Sequence, residues 1–304
     1  MRRRFRYLVT GREGQVVRSL IERSHLEKAG DIDLIAVGRP ALDLGKPETI
    51  KSAIDQIKPD IIISAAAYTA VDQAEADEAT ARHVNASGPR ALAQAASVHS
   101  IPMIHLSTDY VFDGTNTAPY TEADPVAPLG IYGCSKLEGE EYVLEAWHNV
   151  AILRTAWVYS PYGKNFVKTM LRVAETRDTL NVVDDQIGNP TSALDIADGI
   201  LAVASNLLSS PDQKLRGVFH MTGHGDATWA DFAEEIFDAA KKVGGPVATV
   251  QRIATADYPT PARRPANSRL NNNKLHSTHG VRLPDWRIST GDIVTRLVKS
   301  RTYL

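Results

Sequence analysis

The chain has 304 residues and a mass of 33.2 kDa, which at about 150 residues per domain fits two domains or one large α/β unit. With 43% hydrophobic and 23% charged residues it is not a disordered chain. The net charge of −2 leaves no basic footprint for nucleic acid, and the single cysteine, Cys134, excludes an intrachain disulfide and a cysteine zinc cluster.

A basic start, Met1-Arg2-Arg3-Arg4, is followed by no apolar segment of the kind a secretory signal carries. The most apolar stretch, 61–71, is far shorter than the ~20 residues that span a bilayer. The sequence therefore predicts a cytoplasmic chain with no membrane partner and reduced thiols.

The predicted elements begin with a strand at 5–9, a glycine turn and a helix at 15–23. A strand at 33–37 and a helix at 47–57, opened by Pro47, come next. Ile61, Ile62 and Ile63 mark a short buried strand within 60–64. An alanine-rich helix is predicted at 80–98, a strand at 102–107, a helix at 132–146 and a strand at 150–154. Strands alternating with helices imply a parallel sheet covered on both faces, with ligands at the carboxyl ends of its strands. Beyond 154 the pattern loosens. Helices are predicted at 192–208 and 228–242, the latter with Thr228 and Asp231 as caps, and 258–265 reads as an extended loop with three prolines. The fold class is α/β: a Rossmann-like doubly wound parallel sheet with a smaller C-terminal α/β substrate-binding domain. Residues 1–160 form the first domain, rejoined by about 185–210, and 161–304 mainly form the second.

Four segments carry candidate chemistry, each at a strand end. Gly11-Arg12-Glu13-Gly14-Gln15-Val16 lies between a strand and a helix, where glycine lets the backbone approach a pyrophosphate at a helix N-terminus. The third glycine of the usual dinucleotide pattern is Val17 here, so the helix is expected slightly farther out. Arg39, after the second strand, replaces the acid that holds the ribose of NAD. With Arg12 it suits a 2′-phosphate and favours NADPH, NADH being the other option. Asp43 and Leu44 follow at a spacing that meets the adenine. Ala65, Ala66 and Ala67 after the third strand leave room for a flat cofactor, or form a packed alanine turn.

The fourth segment pairs residues 107–114 (STDYVFDG) with Tyr132-Gly133-Cys134-Ser135-Lys136. Tyr132 and Lys136 share one helix face. A phenol donates protons at neutral pH, and a nearby ammonium is expected to lower its pKa. The Thr108 hydroxyl is placed to bond the same substrate oxygen. Cys134 reads as a small core residue or as an oxidisable thiol. The nine histidines have no metal-ligand spacing, and no serine–histidine–aspartate arrangement is legible.

On these residues the chain resembles the extended short-chain dehydrogenases/reductases, and among them the dTDP-4-dehydrorhamnose reductase family. The resemblance also rests on 38–40 (GRP), 65–72 (AAAYTAVD), 154–159 (RTAWVY), Asn165-Phe166, 185–191 (DQIGNPT) and 258–270 (YPTPARRPANSRL). It implies NADPH-dependent reduction of the C4 ketone of dTDP-6-deoxy-L-lyxo-4-hexulose to dTDP-L-rhamnose, for cell-surface polysaccharide. Tyr132 would be the general acid, Lys136 would tune it and hold the nicotinamide ribose, and Thr108 would orient the ketone. Asp109, Trp157 and Asn165 would meet the sugar, and Tyr258 and Arg264 the nucleotide end, where a guanidinium forks well onto phosphate. Some members join a dimer through carboxylates on Mg²⁺. Ser19 and Leu194 stand at two of those positions, so no metal is expected and a homodimer is left open. The alternatives are an epimerase or dehydratase on the same scaffold, and a non-catalytic subunit resembling the regulatory partner of methionine adenosyltransferase.

Overall fold

A computed structural model describes residues 4–26 and 32–303, so most of the basic start lies outside the described residues. Five strands come from the first half: β1 (Phe5–Thr10), β2 (Ile32–Val37), β3 (Ile61–Ser64), β4 (Met103–Thr108) and β5 (Val150–Thr155). Each agrees with its sequence prediction to within a residue. A sixth strand, Gly217–His220, was not legible, because only Val218 and Phe219 mark it as apolar. It lies beside β5 and completes a wholly parallel sheet in the order sixth strand, β5, β4, β3, β1, β2.

Alternation along the strands builds two cores. Tyr7 and Val9 of β1, Ile61 and Ile63 of β3, and Ala151 and Leu153 of β5 face one side. There they meet α1 (Gln15–Ser24) and the helix Ala193–Ser209 through Val17, Leu20, Ile196, Ile200 and Val203. Leu8, Ile62 and Ile152 face the other side, against Ile50 and Ile54 of α2 (Pro47–Ile57), Leu92 and Val143. Burial on both faces is why these strands read as continuous apolar runs. The chain leaves β1 for the β2 edge and then crosses back to β3. The sheet therefore has its switch point between β1 and β3, where such folds hold ligands.

The alanine-rich helix departs from the sequence prediction. It runs as Glu78–Arg82, a wide π turn at His83–Ser87 and then Gly88–Val98. Pro89 explains the interruption: it has no N–H to give the carbonyl four residues back, that of Asn85. A β-carbon on Gly139 would lie 2.1 Å from that carbonyl oxygen, so the helix Ile131–Ala146 passes directly against it.

A further core is aromatic. Tyr159, Phe232, Ile236, Trp286 and Val294 gather between the helices Trp229–Lys242 and Trp286–Ser300. Thr228 and Asp231 form a capping box on the first of these, matching the predicted caps. Among the described residues, no helix is long and apolar enough to cross a membrane.

Candidate active site

The carboxyl ends of β1, β2 and β3 converge. The Thr10 hydroxyl accepts the backbone N–H groups of both Ala65 and Ala66 at 3.0 Å. Gly11 has φ +99° and donates its N–H to Val37 O at 2.7 Å. A β-carbon there would be strained, and would meet Val17 at 3.4 Å and Ala66 at 3.6 Å. Val17 thus fills the space beneath the turn that the absent third glycine leaves. Gly14 starts α1 with no side-chain cap and no acid in the first turn, which leaves its N–H groups to an anion. Val16 is half-buried against the sheet core, and Ala67 is half-buried on the β3 turn. Arg12 and Arg39 are both exposed. A β-carbon on Gly38 would touch the Arg12 stem at 3.4 Å, so the two cations border one surface.

Two residues named on the cofactor side have side chains engaged within the protein. Leu44 is buried in the core against Gly88, where a β-carbon would come within 2.6 Å, so its side chain has little surface for an adenine. The Gln15 side chain is committed elsewhere: its Oε1 accepts from Ser160 Oγ at 2.8 Å and Asn165 Nδ2 at 2.9 Å, and its Nε2 donates to Val158 O at 3.3 Å. Only the Gln15 backbone remains for a phosphate. Asp43 Oδ1 accepts from the Gly45 N–H at 3.0 Å and closes a local turn.

β4 delivers Thr108 and Asp109. Thr108 is buried and donates its hydroxyl to Asp109 Oδ1 at 3.0 Å, while accepting the Tyr110 N–H at 3.2 Å. Tyr132 lies in the first turn of the helix Ile131–Ala146, near enough to Thr108 for that hydroxyl to favour its ionised form, and its ring is edge-on to Tyr110 at 5.6 Å. Lys136, one turn on, is buried, and its Nζ donates to Leu106 O at 2.7 Å. Thr108 and Tyr132 therefore come together at the end of β4, and Lys136 is tied to the same strand two residues earlier.

Their electrostatics differ from the expectation. Burial pushes the Tyr132 phenol up to about 12, against the lowering influence of Thr108. Lys136 does not pull it down, because its ammonium is anchored on β4. Burial draws Lys136 itself down to about 8, with Glu140 opposing. Glu140, one turn further on, makes a fully buried ion pair with Arg154 of β5 at 2.6 Å. Asn85 of the π turn is a further support that sequence reasoning missed. Its Oδ1 accepts the Tyr68 N–H at 2.8 Å, and its Nδ2 donates to Tyr68 O and Ser135 Oγ, each at 3.0 Å. Cys134 is half-buried and burial raises its thiol, which favours the packing role over a reactive one.

The remaining predicted residues line the approach to this point unevenly. Asp109 is buried, and its carboxyl is pushed up to about 7 by burial, against the Ser268 and Thr108 hydroxyls. Trp157 follows β5 two residues after Thr155, the residue paired with Thr108. Arg264 forms an ion pair with Asp72 at 2.9 Å and donates to Thr260 and to Ala262 O. Tyr258 is 59% exposed. Asn165 caps the helix Phe166–Ala174, and its Nδ2 donates to Gln15, Ser160 and Tyr162. That amide ties Gln15 of α1 to the segment 160–162. Asp72, Gln186, Gly188, Trp229 and Ser268 were not singled out. Only the motifs containing Asp72, Gln186, Gly188 and Ser268 hinted at them, and Trp229 read simply as a helix start.

Comparison with known proteins follows this geometry. The family model described as "RmlD substrate binding domain" matches residues 5–299. A dTDP-4-dehydrorhamnose reductase of Sinorhizobium fredii is 50% identical over 96% of this chain and 98% of its own length. The crystal structure of a dTDP-4-dehydrorhamnose reductase from Clostridium acetobutylicum superposes with a TM-score of 0.88 at 36% identity, covering 96% of this chain and 99% of that one. One from Bacillus anthracis, in complex with NADP, gives 0.89 at 33% identity, covering 97% and 100%. The family match spans both the dinucleotide turn and the loop around Arg264, and on it the chain belongs to the dTDP-4-dehydrorhamnose reductase family.

Proposed function

We propose that this chain reduces the C4 ketone of dTDP-6-deoxy-L-lyxo-4-hexulose with NADPH, giving dTDP-L-rhamnose. The observation that carries the reading is Thr108 and Tyr132 together at the end of β4, with Lys136 tied to the same strand, beside a glycine turn bordered by two arginines. The relatives' names and the NADP in the Bacillus anthracis structure support it. The residues fit NADPH: an uncapped helix start for the pyrophosphate, a β1–β3 crevice of small side chains, and Arg12 and Arg39 for a 2′-phosphate. When bound, NADPH supplies the hydride.

The chain's own groups manage the oxygen that gains charge. Tyr132 stays protonated at neutral pH and gives its phenolic proton to that oxygen as the negative charge develops. Lys136 spends one N–H on Leu106 O and keeps two for the tyrosine and the ribose. Thr108 hydrogen-bonds the same oxygen and fixes the ketone's orientation. We assign Asp109 and Trp157 to the sugar and Arg264 to the diphosphate, with Tyr258 at the exposed nucleotide end. In this reading residues 1–160, with 185–210 returning, hold the cofactor, and 161–304 mainly hold the sugar nucleotide.

The test mixes purified protein, the dTDP-4-keto sugar, the preceding epimerase and NADPH. Stoichiometric loss of NADPH absorbance with formation of dTDP-L-rhamnose is the expected result. An epimerase or dehydratase recycles its cofactor, and a purely regulatory subunit turns nothing over. No net loss of NADPH would therefore reject the reading.

A further inference from the structure

Trp157 has φ +45°, a left-handed backbone that a bulky side chain rarely adopts. Such a conformation persists only where the surroundings over-determine it, and three contacts do so here. The Trp157 carbonyl accepts the Thr191 N–H at 3.2 Å. Its indole lies flat on that of Trp229, with centroids 3.6 Å apart and planes 6° apart. Its edge rests on Gly188, where a β-carbon would lie 2.5 Å from the ring. Trp229 is itself fixed: its Nε1–H donates to Gln186 Oε1 at 3.2 Å, and Phe166 packs on it at 4.8 Å. Yet Trp157 keeps part of its surface exposed, two residues beyond the strand position beside Thr108.

An indole buried on one side, held in a strained backbone and still partly open has the form of a platform. A 6-deoxyhexose ring presents C–H groups and a methyl, an apolar surface that suits an aromatic face. We infer that Trp229 and Gly188 are positioning residues for sugar recognition, because they clamp Trp157 in the orientation that meets the deoxyhexose. The inference rests on the assignment of Trp157 to the sugar made above. It adds that sugar selectivity is set by two residues that act through that ring. Both lie well along the chain from it, and Gly188 works by lacking a side chain.

Calorimetric titration of the full chain separates the possibilities, with dTDP, dTDP-L-rhamnose and NADPH as the three probes. Trp157→Ala is expected to weaken dTDP-L-rhamnose about tenfold and to leave dTDP and NADPH unchanged. Trp229→Ala should give a loss of three- to tenfold on the same probe alone, and Trp229→Phe should recover most of it. The double variant should bind no worse than Trp157→Ala, since Trp229 acts through Trp157. Gly188→Ala should reproduce the sugar-specific loss from the other edge of the ring. Unchanged dTDP-L-rhamnose binding in Trp157→Ala would remove the underlying assignment and the inference with it. A loss in Trp157→Ala with none in Trp229→Ala and Gly188→Ala would overturn the inference alone. Additive losses, or losses on all three probes in both Trp229 variants, would also overturn it.

Discussion

The two regions assigned above to the cofactor and to the sugar are built on different principles. At the cofactor end the backbone dominates: Gly11, Gly14, Ala65 and Ala66 bring three strand ends together, with Thr10 as the internal tie. At the sugar end, side chains from Asp72, Asp109, Trp157, Trp229, Arg264 and Ser268 are brought together across the whole sequence. A backbone-built end depends on small residues at a few adjacent positions. A side-chain-built end depends on partners that hold one another, so its failures should be graded and non-additive. The chemistry sits between them, on β4 and the helix that carries Tyr132.

That division can be broken in order of effect. Tyr132→Phe should reduce turnover by about two to four orders of magnitude while NADPH and dTDP-L-rhamnose bind as before. Near-normal turnover would remove the general-acid role and place the chemistry at one of the two ends. Next is Glu140→Ala, which strands a buried Arg154 and should cost about 3–5 kcal/mol in denaturant unfolding. A much smaller loss would mean that the middle does not depend on that pair. At the cofactor end, Arg39→Ala should weaken NADPH by about tenfold to a hundredfold with NADH unaffected, the worth of charge-assisted bonds to one phosphate. Equal losses on both cofactors would show that Arg39 does not read the phosphate.

Lys136 gives a pH signature. Its ammonium is charged below its depressed value of about 8 and loses its proton as pH rises through it. The kcat/KM profile should therefore fall above about pH 8, by about tenfold per further pH unit, and Lys136→Met should abolish that limb. A flat profile into the alkaline range would refute it. The smallest effect belongs to the half-exposed Asp72–Arg264 pair. Asp72→Asn should weaken dTDP by no more than about fivefold, in keeping with the modest worth of exposed ion pairs. A loss as large as that of Arg264→Ala would make Asp72 an equal partner at the sugar end.

The glycine turn and the Tyr132–Lys136 pair could be proposed from sequence because each position has a local reason. Gly11 and Gly14 permit a turn, Arg39 replaces an acid, and Tyr132 and Lys136 are one helical turn apart. The burial of the Leu44 side chain escaped that reading, since spacing along the chain does not reveal which way a side chain turns; Gly88, on a distant helix, packs against it. The engagement of the Asn165 side chain escaped it for a similar reason: its motif was visible, but its partners are Gln15, Ser160, Tyr162 and Lys168. Trp229 carried no signal at all, because a tryptophan at a helix start is indistinguishable from core until its stacking partner is known. The sixth strand was too short and too little apolar to stand out.

The π turn at His83–Ser87 has a consequence for how this sequence can change. Five residues there occupy the path that an ordinary helix would give to about four, so the segment behaves as a retained insertion. Deleting one residue would remove the extra length of the turn, but Pro89 would still have no N–H to give the carbonyl four residues back. The deletion would also rotate everything before Pro89 by about 100° relative to everything after it. Asn85 would swing off the Tyr68 loop and the Ser135 hydroxyl together, so one deletion would remove both supports that it gives the site.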